Sequence, residues 1–270
     1  MNPTVKIAVR AAYKAGDIIL QHHNKIDTLN IENKADYDFV SEVDKMAEKI
    51  IIDELKQSFP DDGILGEEGG ELLGKNNNKW IIDPLDGTTN YLHGFPQYAV
   101  SIAMFEGDIP MHAVIYDPFK DELFYASKGE GAFLQSDKTN QRIRVSNCNN
   151  MNESLIGTGF PFKDPQHLDC YLDTFKAIHP KVSGIRRAGS AALDLAYVAS
   201  GRMDGFWEVS LEKWDIAAGV LLILEAGGFV GDFSGRGDYM NTGNVVAGNK
   251  DIFKEVLKTI HPYLTKELQK

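Results

Sequence analysis

The sequence predicts a layered protein of mixed α+β and α/β class, built from two halves. Two observations carry this reading. Residues 98–126 form a run of strand-like segments separated by tight turn signals, Gly107-Asp108 and Asp117-Pro118, which is the pattern of an antiparallel meander. From about residue 147 strands and helices alternate instead, the rhythm of an α/β sheet. The halves are expected at 1–146 and 147–270.

The elements follow in order. Val5, Ala8, Val9, Ala12, Ala15, Ile18 and Ile19 recur at helical spacing and predict an amphipathic helix over 4–22. Residues 24–40 are polar with one short apolar patch and read as a mobile strand-loop. Ser41 is placed to cap a helix over 42–58 whose buried face holds Ile50, Ile51 and Leu55. Pro60-Asp61-Asp62-Gly63 is a turn, and Ile64-Leu65-Gly66 a short strand ending in Glu67-Glu68-Gly69-Gly70. Residues 71–79 read as a polar loop, and Trp80–Ile82 as a buried-type strand that stops at Asp83-Pro84. Strands over 98–106, 109–116 and 123–126 make the meander, followed by strands at 142–145 and 154–158. The second half gives a helix near 166–178, a strand near 182–186, a helix over 190–200, a strand over 204–209 and a helix over 215–226. Short strands at 229–230 and 245–246 precede a last helix, capped by Asn249 and ending near 261.

Composition narrows the function. The 270 residues are 43% hydrophobic and 25% charged, an ordinary globular balance. A net charge of −11 argues against nucleic acid held by broad phosphate neutralisation, and against an anionic membrane surface. An anionic substrate would need a local positive group. Cys148 and Cys170 are the only cysteines, too few for a disulfide framework or a zinc ligand set. Lys6, Arg10, Lys14 and Asp17 interrupt the N-terminal apolar residues, so a signal-peptide core is not expected. The longest clean apolar run, Ile216–Leu224, is too short to span a bilayer. These features predict a soluble cytoplasmic protein with no membrane partner.

The densest chemical signal is Trp80-Ile81-Ile82-Asp83-Pro84-Leu85-Asp86-Gly87-Thr88-Thr89-Asn90. A strand delivers two carboxylates across a turn, and Gly87 lets backbone approach a ligand. The amides of Gly87, Thr88 and Thr89 stand at the start of a short helix, where an anion is well received. Hard oxygen ligands for a divalent cation thus lie beside donors for a phosphate, as metal-assisted phosphate-ester chemistry requires. Alone, the stretch reads equally well as an acidic surface turn. Glu67 and Glu68, ending a strand before two glycines, add acids to the count. Asp215 opens an apolar helix in Trp214-Asp215-Ile216-Ala217-Ala218-Gly219, where a carboxylate ordinarily serves the helix dipole. Glu225 in Glu225-Ala226-Gly227-Gly228 ends that helix and receives no catalytic role.

These blocks, with Gly66-Glu67-Glu68, resemble in order and spacing the signatures of the inositol monophosphatase family. This is the magnesium-dependent, lithium-sensitive superfamily that also holds fructose-1,6-bisphosphatases and 3′-phosphonucleotide phosphatases. The resemblance runs from about residue 5 to about 262. It implies a layered αβαβα sandwich, a homodimer, two or three Mg²⁺ ions, and Li⁺ as an inhibitor. By resemblance Glu67, Asp83 and the carbonyl of Leu85 hold one Mg²⁺, and Asp83, Asp86 and Asp215 a second. Glu67 also helps place a third. Thr88 pairs with an upstream aspartate, matched by Asp44, to position the attacking water. Asp44 by itself would read as a first-turn carboxylate after the Ser41 cap. The phosphate is expected against Gly87 and Thr88. Further substrate contacts map to Gly189, Ser190, Ala191 and Glu208, with Asp86 and Asp215 also facing the substrate. Glu208 reads equally as an exposed strand acid.

Some positions depart from the family pattern. Ser41 stands where threonine is commoner, and Lys34 falls one residue nearer Asp44 than the usual lysine. Arg186 and Arg187 would meet a second phosphate if the substrate carried one, but read better as a solvated pair. Gly69–Lys75 mimics a P-loop, yet Asn76 replaces its Ser/Thr and Glu71 stands where phosphates would lie. The seven histidines lack metal spacing, and no Gly-x-Ser-x-Gly elbow is present. The expected activity is a Mg²⁺-dependent phosphomonoesterase acting on a small phosphorylated alcohol, inositol monophosphate by default. The alternatives are a fructose-1,6-bisphosphatase, an NADP(H) or 3′-phosphonucleotide phosphatase, and a regulatory binding protein.

Overall fold

The computed structural model describes residues 1–23, 31–35, 38–137, 139–162 and 164–269, with the backbone alone over 31–35 and 38–41. The chain opens on α1 (Pro3–His23), whose buried stripe includes Val5, Ala8, Ala12, Ala15 and Ile19. An antiparallel pair, β1 (Ile31–Ala35) and β2 (Asp38–Ser41), leads into α2 (Glu42–Ser58). The rest of the expected strand-loop over 24–40, and the Ser41 and Lys34 side chains, lie outside the described residues. Next come β3 (Gly63–Gly66), β4 (Gly70–Leu72), β5 (Asn78–Asp86) and the short α3 (Thr88–Leu92). The meander is β6 (Ala99–Glu106), β7 (Ile109–Asp117), β8 (Glu122–Ser127), β9 (Gly131–Ser136) and β10 (Thr139–Arg142). Then follow β11 (Leu155–Thr158), α4 (Leu168–Ile178), β12 (Gly184–Arg186), α5 (Ala191–Ala199), β13 (Gly205–Glu208) and α6 (Lys213–Glu225). The last elements are β14 (Phe229–Gly231), α7 (Tyr239–Thr242), β15 (Val245–Gly248) and α8 (Lys250–Ile260).

The strands form an eight-stranded sheet, β10-β9-β8-β7-β6-β5-β3-β4, and a five-stranded sheet, β12-β11-β13-β15-β14. In the inner strands alternate residues face different cores, which is why so many of them read as unbroken apolar runs. Trp80, Ile82, Val100, Ile102 and Val114 pack under α1 and α2, whereas Ile81, Ala103, Ala113 and Ile115 face α5 and α6. In the second sheet Phe206, Val245 and Ala247 face those same two helices, and Ile156, Trp207 and Val246 face α4 and α8. The layers are therefore helices, sheet, helices, sheet, helices, the expected αβαβα sandwich. Helix α6 lies in the middle layer, and Ile216 through Ile223 are all buried, as a helix apolar on every side must be. No described helix is long and apolar enough to cross a membrane.

Three strand expectations are corrected. The polar stretch 71–79 is not all loop, because Gly70–Leu72 pairs antiparallel with β3 as an exposed edge strand. Its residues carry no inward alternation to read. The expected strand at 142–145 is absent: the ladder ends at Arg142, in a β9–β10 hairpin that the sequence reading passed over. Ala132 and Leu134 of β9 face one core and Phe133 the other, so the apolar run is too short and unalternating to stand out against its polar neighbours. Third, β5 does not stop at Asp83-Pro84 but continues to Asp86. Its register against β6 slips between Asp83 and Asp86, and proline, lacking an N–H to donate, is tolerated at such a bulge.

Candidate active site

The bulge in β5 turns Asp83 and Asp86 toward the N-terminus of α6. One carboxylate oxygen from each of Asp83, Asp86 and Asp215 lies within 4.8 Å of the others. Each acid is pinned by a backbone amide from a different segment. Asp83 accepts from the Leu85 N–H at 3.0 Å, and Asp86 from the Ala192 N–H at 2.8 Å. Asp215 accepts from the Glu212 N–H at 2.7 Å, the reach-back that caps α6. Ser190 caps α5, and its hydroxyl also donates to Asp86 at 2.5 Å. Glu67, just after β3, stands within hydrogen-bond reach of Asp83.

The crowding shows in the acids' proton affinities. Burial first, then the neighbouring Glu67, Asp86 and Asp215, hold the Asp83 carboxyl well above the usual range. Burial likewise pushes Asp86 up to about 6, against the opposing pull of Ser190 and the α5 amides. Such a cluster of hard oxygen donors, rigid and short of positive charge, fits a divalent cation of the magnesium type.

Beside the cluster, the Thr88 hydroxyl lies 2.9 Å from Asp44 Oδ1 and 3.1 Å from the Leu85 carbonyl. Asp44 lies on α2 and is fully buried. Gly87, at φ 93°, starts α3 in the left-handed region. A Cβ there would stand 2.8 Å from the Gln97 carbonyl and 3.2 Å from that of Gly189, so only glycine fits without strain. Asn90 closes the motif by donating to the carbonyls of Gln97, Ala188 and Gly189 at 2.8, 2.9 and 3.1 Å. It fastens α3 to the loop that precedes α5.

Glu67, the three aspartates of the cluster, Gly87 and Thr88 open into one cavity of about 440 Å³, whose lining also includes Gly189, Ser190, Ala191 and Glu208. Every residue expected in the site except Asp44 lines this cavity, and Asp44 reaches it through Thr88. Glu208 is not an exposed strand acid: burial, then the nearby Asp194, hold its carboxyl well above the usual range. A groove of about 660 Å³ between α1 and α2 is lined by Asp17, Asp53 and Glu54, but among the described residues only Asp83, Asp86 and Asp215 bring their oxygens together.

The structure adds one residue that the sequence reading left out and separates two that it had paired. Asp194 lies 1% exposed on the cavity wall, with Oδ1 unpartnered. Arg187 and Arg186 part company. Arg186 donates to its neighbour's carbonyl outside the site, whereas the Arg187 guanidinium lies over the rings of Phe160 and Phe162, at 5.6 and 5.2 Å, on the cavity rim. Both arginines are exposed, as a solvated pair should be, but only Arg187 also lines the cavity. Asp194 follows Ser190 by one helical turn, a spacing that would have found it; nothing in the sequence separates Arg187 from Arg186.

Comparison with known proteins agrees with this geometry. The model of the inositol monophosphatase family matches residues 1–269. The Nus factor SuhB of Pseudomonas aeruginosa is 46% identical over 276 residues, covering 100% of both chains. The crystal structure of the extragenic suppressor protein suhB from Bartonella henselae superposes with a TM-score of 0.92 at 43% identity, covering 96% of this chain and 98% of its own. The inositol monophosphatase from Anabaena (Nostoc) sp. PCC 7120 superposes with a TM-score of 0.83 at 36% identity, covering 95% and 94%. With its αβαβα layers and its acids gathered at the β5 bulge, the chain belongs to the inositol monophosphatase family.

Proposed function

We propose that the protein is a Mg²⁺-dependent phosphomonoesterase acting on a small phosphorylated alcohol, with inositol monophosphate as the default substrate. The observation that carries this is the convergence of Asp83, Asp86 and Asp215 within 4.8 Å, beside the Asp44–Thr88 pair. In this reading Glu67, Asp83, the Leu85 carbonyl, Asp86 and Asp215 hold two or three Mg²⁺ ions. Bound there, Mg²⁺ would activate water and stabilise the charge on the leaving oxygen. The protein's own groups do the rest. The Thr88 hydroxyl donates a hydrogen bond to Asp44, which leaves its oxygen free to accept from the attacking water. As the water attacks, its proton passes to the Thr88 oxygen while the Thr88 proton passes to Asp44. The amides of Gly87 and Thr88 receive the phosphate, and Ser190 with the α5 amides fixes Asp86. Gly189, Ala191 and Glu208 meet the alcohol, with Glu208 accepting from its hydroxyls. The reading carries with it a cytoplasmic homodimer, inhibition by Li⁺, and division of labour between the halves 1–146 and 147–270.

The test is phosphate release by the purified protein, with and without Mg²⁺. The panel holds inositol-1-phosphate, fructose-1,6-bisphosphate, NADP⁺ and 3′-phosphoadenosine-5′-phosphate. Mg²⁺-dependent release, greatest in kcat/KM for the inositol ester, is the expected result. Silence on every ester by folded protein would refute it. A second reading, a binding role for a partner protein, is favoured by the Nus factor name of the full-length relative. Activity lost on partner binding would join the two readings; binding without any activity would leave the second alone.

A further inference from the structure

Helix α2 carries a second buried acid, Glu48, one turn beyond Asp44 and 4% exposed. Its Oε2 accepts from the Glu68 N–H at 2.9 Å and its Oε1 from the Gly69 N–H at 2.6 Å. These successive amides belong to the β3–β4 turn, directly after Glu67. The turn is shaped around the carboxylate: a Cβ on Gly66 would collide with Oε2, and one on Gly69 would stand 2.8 Å from Oε1. On the other side, the Glu67 N–H is tied to the Ile82 carbonyl of β5 at 3.2 Å. Glu67 is therefore gripped between β5, which carries Asp83, and α2, which carries Asp44.

A buried carboxylate requires strong donors, and two aligned amides supply them. A glutamine of the same size would not serve. Its single oxygen could satisfy one amide, and its NH₂ would face the other donor to donor. The turn would have to shift, and Glu67 with it.

We propose that Glu48 is a positioning residue: it clamps the β3–β4 turn so that the Glu67 carboxylate is held against Asp83. This rests on the proposed function, since Glu67's duty as a cation ligand belongs to that reading. The clamp acts on cation affinity, because partners that orient ligands commonly set it by ten- to a hundredfold.

The experiment is Mg²⁺ titration of the full-length protein by calorimetry, together with the Mg²⁺ dependence of phosphate release. Two variants approach the clamp from opposite sides. Glu48→Gln removes one of the two acceptor oxygens, and Gly69→Ala pushes a methyl against Oε1 while leaving Glu48 in place. Both are expected to weaken Mg²⁺ binding at least about tenfold, with much of kcat recovered at high Mg²⁺. Thermal unfolding without Mg²⁺ separates positioning from bulk stability. A variant that melts lower but binds Mg²⁺ as tightly as wild type would overturn the inference, as would one unchanged in both respects. Wild-type protein that takes up no Mg²⁺ would overturn the parent reading and this one with it. Wild-type protein that binds Mg²⁺ but cleaves no ester would overturn the phosphatase reading, with the clamp still judged on calorimetry.

Discussion

Replacing Asp86 with asparagine should make the protein more stable and less active at once. In the folded chain the Asp86 carboxyl is pushed from 3.8 up to about 6 by burial. At about 1.4 kcal/mol per pH unit, its ionised form carries a penalty of about 3 kcal/mol. The sign follows from linkage. The folded value lies above the unfolded one, so the penalty is absent below about 4, grows between 4 and 6, and is complete above 6. Asparagine keeps the shape, and its carbonyl oxygen can still accept from Ser190 and from the Ala192 amide. The Asp86→Asn protein without Mg²⁺ should therefore melt several degrees higher at pH 8, with about half that gain at pH 5.

Two further measurements complete the argument. Saturating Mg²⁺ should raise the melting temperature of wild-type protein, since ligand at a hundredfold its Kd adds about 2.7 kcal/mol, and raise the variant's much less. Phosphate release should fall at least about a hundredfold, the scale of losing one catalytic electrostatic contact. An Asp86→Asn protein that keeps its activity would refute the assignment of the site. One that melts lower at pH 8 would refute the account of crowded acids.

Three other perturbations bear on the scaffold. Gly87→Ala forces a Cβ onto the Gln97 and Gly189 carbonyls at positive φ, and urea unfolding should register a loss of about 1–3 kcal/mol together with lower kcat. Glu54, buried on α2, has its carboxyl held below the usual range by a hydrogen bond from Lys14, then by Arg10, against the opposing effect of burial. Its stabilisation is present above the unfolded value of about 4.5 and is lost as pH falls through the lower folded value. Because Lys14 and Arg10 are about half exposed, Glu54→Gln should cost about 1 kcal/mol at pH 7 by urea unfolding, and less in acid. Asn249 accepts from the Asp251 and Ile252 amides at 3.0 Å, so Asn249→Ala should cost about 1 kcal/mol by the same assay.

The legible parts of the sequence are those where local chemistry and tertiary packing agree. Helix α8 was readable because an Asn249 cap and an amphipathic face coincide. The meander was readable because its turns carry Gly107-Asp108 and Asp117-Pro118 between apolar runs. Strand β4 was not, because an exposed edge strand has no buried face to imprint a period. The extension of β5 through Pro84 ran against local preference and was decided by pairing with β6 across the bulge. The same contrast holds in the cavity. Asp83 and Asp86 announce themselves three residues apart in one motif. Glu48 contributes through two hydrogen bonds to amides twenty residues away, which no local pattern encodes.

The anchoring of the acids also explains why this architecture suits the chemistry it is assigned. Carboxylates held at close range repel one another, and side-chain packing alone would let them swing apart. Here Asp83, Asp86 and Asp215 each accept a backbone N–H, so each is oriented by main chain rather than by a flexible neighbour. Those amides come from the β5 bulge, the first turn of α5 and the N-cap of α6. The latter two helices form the middle layer, packed between both sheets. Motion of any one anchor would disturb a core shared by strands of both sheets, which close packing resists. The repulsion is thus stored against a rigid frame and remains available to be relieved by a cation. This is why loss of one charge in the cluster should raise stability, whereas loss of one anchor should not. Ser190→Ala removes a donor to Asp86 without removing its charge, so it should lower metal-free stability and Mg²⁺ affinity together, the opposite thermal sign to Asp86→Asn.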